Sequence, residues 1–114
     1  MTLRSIPPVL AATLVPIAAL AQDLPGDPVA GLEFARGHCA QCHYVESDWV
    51  DFYLLEGPDF TEIALKPVYT ELALRAVLQT PYKRMPNYIL TPAETDDVIA
   101  YILSLRAKFK DRTQ

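Results

Sequence analysis

Five consecutive residues limit this chain more than any other feature: Cys39-Ala40-Gln41-Cys42-His43. They include both cysteines of the sequence. Cysteines three positions apart on a helical turn project to one side. The histidine that follows offers an imidazole, the commonest protein ligand for a metal. C-x-x-C-H is the spacing of c-type haem attachment. Each sulfur would form a thioether with one of two vinyl groups on the same edge of the porphyrin, and the histidine would meet the iron from one face. Covalent attachment keeps the cofactor when the protein is dilute.

Other uses of two cysteines fit less well. A thioredoxin-like dithiol needs a strand–helix frame, and no strand of useful length is apparent. A structural zinc site takes four ligands, typically from two separated pairs. Here the candidates are His38, Cys39, Cys42 and His43, all on one short stretch. A Cys39–Cys42 disulfide would close too short a loop to stabilise a domain much.

The chain has 114 residues, enough for one domain. Its 10 Lys and Arg against 14 Asp and Glu give a net charge of −4. That balance argues against nucleic acid, which needs a basic face. A hydrophobic content of 51% excludes a disordered acidic tail.

The first 21 residues read as a signal peptide. Arg4 is the one cation, Val9 to Ala21 is apolar apart from Thr13, and Ala19-Leu20-Ala21 places small residues before Gln22. An uncleaved membrane anchor is the competing reading. It needs about 20 apolar residues, and Ile6 to Ala21 is only 16 residues and contains Pro7, Pro8 and Pro16. The expected layout is a leader at 1–21, a lead-in at 22–28, the folded domain at 29–109 and a tail at 110–114. Export implies a periplasmic protein without stable membrane insertion.

Asp27-Pro28 is a helix start, a capping carboxylate followed by proline in the first turn. The spacing predicts a short helix from Val29 to about Gly37. Tyr44 to Gly57 is acidic and aromatic with no sustained period, and reads as loop. Gly57-Pro58 is a turn signal. Asp59 to Leu65 can hold one or two helical turns with Phe60, Ile63 and Ala64 inward. Val68 to Thr80 reads as a helix with Leu72, Val77 and Leu78 at helical spacing, ended by Thr80-Pro81. Pro81 to Leu90 is expected to be extended loop. Thr91-Pro92-Ala93-Glu94 is a capping box with proline at N1. Behind it Val98, Ile99, Tyr101, Ile102, Leu105 and Phe109 form an apolar stripe. Asp96 and Asp97 suit the positive end of that helix, and Arg106, Lys108 and Lys110 the negative end.

A second axial ligand must come from the opposite side of the haem. His38 lies five positions before His43 and cannot reach it. Once the leader is removed, Met85 is the one methionine left, in the proline-bounded loop Arg84-Met85-Pro86. A thioether suits low-spin haem iron and raises its potential. Core filler is the bland reading of Met85. Lys83 and Lys66 are weaker donors, and a vacant sixth position is the open alternative.

With these residues in hand, the chain resembles a class I monohaem cytochrome c of the small exported bacterial type, over about Val29 to Phe109. Gly31-Leu32-Glu33-Phe34-Ala35 looks like the family's N-terminal helix, and Tyr101 like its aromatic where the terminal helices cross. Gly57-Pro58 is similar to the family's proline site, which implies that the Pro58 carbonyl accepts the far imidazole proton of His43. Arg84-Met85-Pro86 resembles the distal methionine loop. The chain departs from the family in its acidic aromatic segment, in Phe34 lying one position early with Ala35 in the usual aromatic place, and in its sparse glycine. The resemblance implies an all-α fold in which N- and C-terminal helices cross and short helices and loops wrap one haem. It implies one haem c bound through Cys39 and Cys42, with His43 and Met85 on the iron.

The expected function is single-electron transfer without bond chemistry, hence a carrier rather than an enzyme. The expected partners are an electron donor and an acceptor, met transiently by a monomer. Residues 23–62 hold nine carboxylates and one cation, Arg36, while 63–114 hold eight cations and five acids. Such a dipole suits electrostatic docking. Two alternatives remain. One is a haem subunit fixed to a single redox enzyme, with Trp49, Phe52 and Tyr53 as interface. The other is an open-site gas-binding or peroxidatic protein.

Overall fold

The computed structural model describes residues 24–46, 55–82 and 84–110, apart from the Lys110 side chain. The leader, Trp49, Phe52, Tyr53, Lys83 and tail residues 111–114 lie outside them. Four helices follow in order: α1 (Pro28–His38), α2 (Phe60–Leu65), α3 (Glu71–Gln79) and α4 (Pro92–Lys110). Among the described residues there is no strand; an isolated antiparallel bridge pairs Tyr82 with Met85. The all-α expectation holds. Among the described residues no helix is long and apolar enough to cross a membrane.

Local chemistry explains the helix starts. The Asp27 carboxylate accepts from the Val29 N–H at 2.8 Å, and Pro28 begins the helix in its fixed φ. Asp59 caps α2 through the Thr61 N–H at 2.6 Å. Thr91 and Glu94 form the expected box. The Thr91 N–H donates to Glu94 Oε2 at 2.8 Å, and the Glu94 N–H to Thr91 Oγ1 at 3.2 Å. The Thr91 N–H and hydroxyl, both donating to Glu94 Oε2, hold the Glu94 carboxyl below its ordinary pKa.

α3 corrects the expected helix over 68–80. It begins at Glu71, because Val68 to Thr70 are spent in tight turns, with Tyr69 N–H bonded to Lys66 O and Thr70 N–H to Val68 O, both at 3.1 Å. The Thr70 hydroxyl then caps the Ala73 N–H at 3.2 Å. Leu74 lies three and four positions before Val77 and Leu78 and shares their inward face, whereas Leu72, five and six positions before them, does not. Leu72 is 77% exposed, and Leu74 is buried in its place.

α4 is the spine, and the other three helices pack on it. Val98, Ile99, Tyr101, Ile102 and Leu105 are buried there with Ala35, Phe60, Ala64 and Leu74. The charged residues of α4 do more than complement its dipole. Asp97 Oδ1 accepts from the Asp27 N–H at 2.7 Å, tying the start of α1 to α4. Asp96 pairs with Arg75 of α3 at 2.6 Å. Arg106 donates to the carbonyls of Ala64 at 2.6 Å and Tyr69 at 2.9 Å, capping the open end of α2.

α1 crosses α4 at Gly31. A Cβ there would lie 1.9 Å from the Asp97 carbonyl oxygen and 2.9 Å from Tyr101 Cβ. Only a residue without a side chain permits that approach. The Gly31→Ala change should force the helices apart at a cost of about 3 kcal/mol, seen as a lower denaturation midpoint.

Candidate haem site

The cysteine motif leaves α1 as one more helical turn. The Cys39 N–H still bonds to Ala35 O at 2.8 Å, and Cys39 O accepts from Cys42 N–H at 3.1 Å and His43 N–H at 2.9 Å. The turn brings Cys39, Cys42 and His43 together as the spacing demanded. Cys39 and Cys42 form no disulfide with each other. Cys39 packs against the core, and burial pushes its thiol up to about 11. A redox or nucleophilic cysteine needs the opposite shift, so the dithiol reading loses support. Among the described residues no three His, Cys, Asp or Glu gather into a metal-binding cluster.

His43 Nδ1 lies 2.7 Å from Pro58 O. A carbonyl only accepts, so Nδ1 carries the proton and Nε2 presents its lone pair. No described residue bonds to Nε2. This is the tautomer that a metal-binding imidazole needs, held by the carbonyl partner such histidines commonly have.

Gly57 has a steric role that a turn signal does not reveal. Its φ is not positive; among the described glycines that conformation belongs to Gly26. A Cβ at Gly57 would lie 2.5 Å from His43 Cε1 and 2.6 Å from Nδ1. The imidazole occupies the space a side chain would need. Two backbone bonds align this segment with the motif: Gly57 N–H to Cys42 O at 2.7 Å and Phe60 N–H to Tyr44 O at 3.0 Å.

Met85 is half-buried and lines a shallow open cleft with Phe34, Cys39, Val77, Leu78, Leu90 and Val98. One wall thus carries a motif thiol and another a thioether, with apolar side chains between. That donor set and lining fit an apolar porphyrin bound through sulfur. Cys42, His43 and Pro58 do not line this cleft. Met85 is held by its N–H to Tyr82 O at 2.9 Å. Lys66 Nζ is paired with Glu62 at 2.5 Å on the surface.

Sequence reasoning missed several neighbours of the site. His38 stacks on Phe34, with centroids 4.1 Å apart, and meets the edge of Tyr88 at 5.9 Å. The four-residue spacing of Phe34 and His38 was the available signal. The displaced aromatic therefore packs beside the cleft, while Ala35 is buried in the helix crossing. Arg36 pairs with Glu46, and the Tyr101 hydroxyl donates to Val45 O. Burial holds the Tyr101 phenol above its ordinary pKa. No sequence signal marks either long-range bond.

Comparisons with known proteins cover the same region. The protein-family model described as cytochrome c matches residues 29–106. Cytochrome c-552 of Bradyrhizobium diazoefficiens is 34% identical over 104 residues, which span 91% of this chain and 95% of that protein. No solved structure matches the chain.

The Gly57→Ala change should displace the His43 ring and break its bond to Pro58. The expected readout is loss of the Nδ1-protonated tautomer in 15N spectra of labelled protein. An unchanged tautomer would contradict the contact.

Proposed function

The chain belongs to the cytochrome c family, and on that premise we propose that it is a periplasmic single-electron carrier whose iron is ligated by His43 and Met85. Family membership implies one haem c, attached through Cys39 and Cys42, and a role in electron transport. When bound, that haem supplies reversible exchange of one electron between ferrous and ferric iron.

The chain's own residues supply the rest. Cys39 and Cys42 offer two sulfurs from a single backbone turn. His43 offers Nε2, and the Nδ1 proton shared with the Pro58 carbonyl makes that nitrogen a better donor. Met85 offers a thioether, which favours the reduced metal. The apolar walls around Met85 and Cys39 exclude water, so a change of charge moves little solvent. With two strong ligands in place no coordination position is open to a substrate, as a carrier requires. The observation that carries this reading is the 2.7 Å bond from His43 Nδ1 to Pro58 O. It aims the free imidazole nitrogen from the one turn that also holds both thiols.

The leader at 1–21 supports export, and protein recovered from the periplasm is expected to begin at Gln22. N-terminal sequencing checks this; a retained Met1 would support the anchor instead. The partners follow from the chemistry: one redox protein that donates an electron and another that accepts it. The acidic excess before Ile63 and the basic excess after it suit brief, charge-guided encounters.

An optical spectrum of the exported protein tests the ligands. It should show a c-type pyridine haemochrome and the oxidised long-wavelength band of methionine–iron bonding. The Met85→Ala change should abolish that band, let the reduced protein bind carbon monoxide, and lower the potential. A tenfold loss of preference for the reduced iron is about 59 mV in a one-electron couple, and the fall should exceed that. An unchanged spectrum would remove Met85 from the iron. Rapid carbon monoxide binding by the unsubstituted protein would favour the open-site reading.

A further inference from the structure

We infer that Tyr101, through its hydroxyl on Val45 and its ring on Phe60, is a positioning residue for His43. This deepens the proposed function and rests on His43 being an iron ligand.

His43 is held unequally on its two sides. Upstream, the motif continues the hydrogen bonding of α1. Downstream, residues 44–46 belong to no helix. Three different elements grip them instead. The Phe60 N–H at the start of α2 donates to Tyr44 O at 3.0 Å. The Tyr101 hydroxyl of α4 donates to Val45 O. Arg36 of α1 pairs with Glu46.

The three grips differ in strength. Arg36 and Glu46 are each about half exposed, where water and salt weaken an ion pair. Val45 and Tyr101 are 6% and 7% exposed. A hydrogen bond there has little competition from water, and its loss would leave a buried carbonyl without a partner.

A second route from Tyr101 to the imidazole runs through the rings, by way of Phe60. Its ring centroid lies 5.4 Å from that of His43 at an angle of 52°, and 6.4 Å from that of Tyr101 at 49°. The single bond from Nδ1 to Pro58 sets the tautomer but leaves the imidazole free to pivot about it. The Phe60 ring, 4% exposed, blocks that pivot on one side. Tyr101 backs it from α4, so the plane of His43 is referred to the spine of the fold.

The hydroxyl is separable from the helix crossing. At Gly31 it is Tyr101 Cβ that comes close, and a phenylalanine would present the same carbon. The added oxygen bonds to a carbonyl two residues beyond His43. Groups that orient a metal-binding imidazole also set its donor strength. A looser His43 shares its Nδ1 proton less well with Pro58, donates less to the oxidised iron, and raises the potential.

The test uses the full chain, exported with its haem attached, and the variants Tyr101→Phe and Phe60→Leu. Tyr101→Phe removes only the hydroxyl. Phe60→Leu keeps an apolar side chain and removes the ring. The readouts are the reduction potential and the paramagnetic NMR shifts of the oxidised protein, in which the spread of the haem methyl signals reports the plane of the axial imidazole. Both variants should keep the haem and the native helix content, change the methyl spread, and shift the potential upward. A hydroxyl that only stabilised the fold would lower the denaturation midpoint and leave potential and methyl spread unchanged; that result in Tyr101→Phe overturns the inference. If Tyr101→Phe does not fold, Phe60→Leu decides by the same readouts. Unsubstituted protein without hyperfine-shifted His43 ring signals would remove His43 from the iron, and with it the reading on which this inference rests.

Discussion

The close approach of α1 to α4 at Gly31 governs where the other parts of the molecule lie. Because no side chain separates them, the backbone of α1 rests against the Asp97 carbonyl. α1 then runs straight into the cysteine turn, so the distance from the crossing to Cys39 is set by helix geometry. The same α4 surface receives α2 through Arg106 and α3 through Asp96. A single helix thus holds the cysteine turn, the α2 segment beside His43 and the α3 side chains that line the Met85 cleft. A domain this small buries limited apolar surface, and these fixed polar ties supplement its core.

The two sides of the site are built by different means. On the histidine side the backbone does most of the work. One helical turn carries both thiols and the imidazole, and the Gly57–Pro58 segment lies against the ring with a carbonyl on Nδ1 and no side chain in the way. On the methionine side a proline-bounded loop is pinned at Tyr82 and lies over apolar side chains from α1, α3 and α4. In the proposed carrier, a histidine held by backbone and a loop-borne thioether suit a metal that changes charge while keeping its ligands.

Where the sequence could be read correctly, the interaction was local. Asp27 with Val29, and Thr91 with Glu94, are two and three positions apart. Their geometry follows from helix starts alone. The bond between His43 and Pro58 spans fifteen positions and was legible only through resemblance to a family. Asp96, Asp97 and Arg106 show the limit. Dipole reasoning placed each at a sensible end of α4, yet their partners lie 21, 70 and 42 positions away. Leu72 shows another. It was grouped with Val77 and Leu78, but five and six positions from them it falls off their face of α3, and Leu74 turns inward instead.

By itself the sequence determined the covalent chemistry and the starts of α1 and α4. Those depend on residue type and short spacing, which the chain carries in any conformation. The tertiary structure decided which face of α3 turns inward, why Gly57 must lack a side chain, and what holds the backbone just beyond His43. These depend on which distant surfaces meet, because a hydroxyl on α4 finds the Val45 carbonyl only after three helices have packed around it.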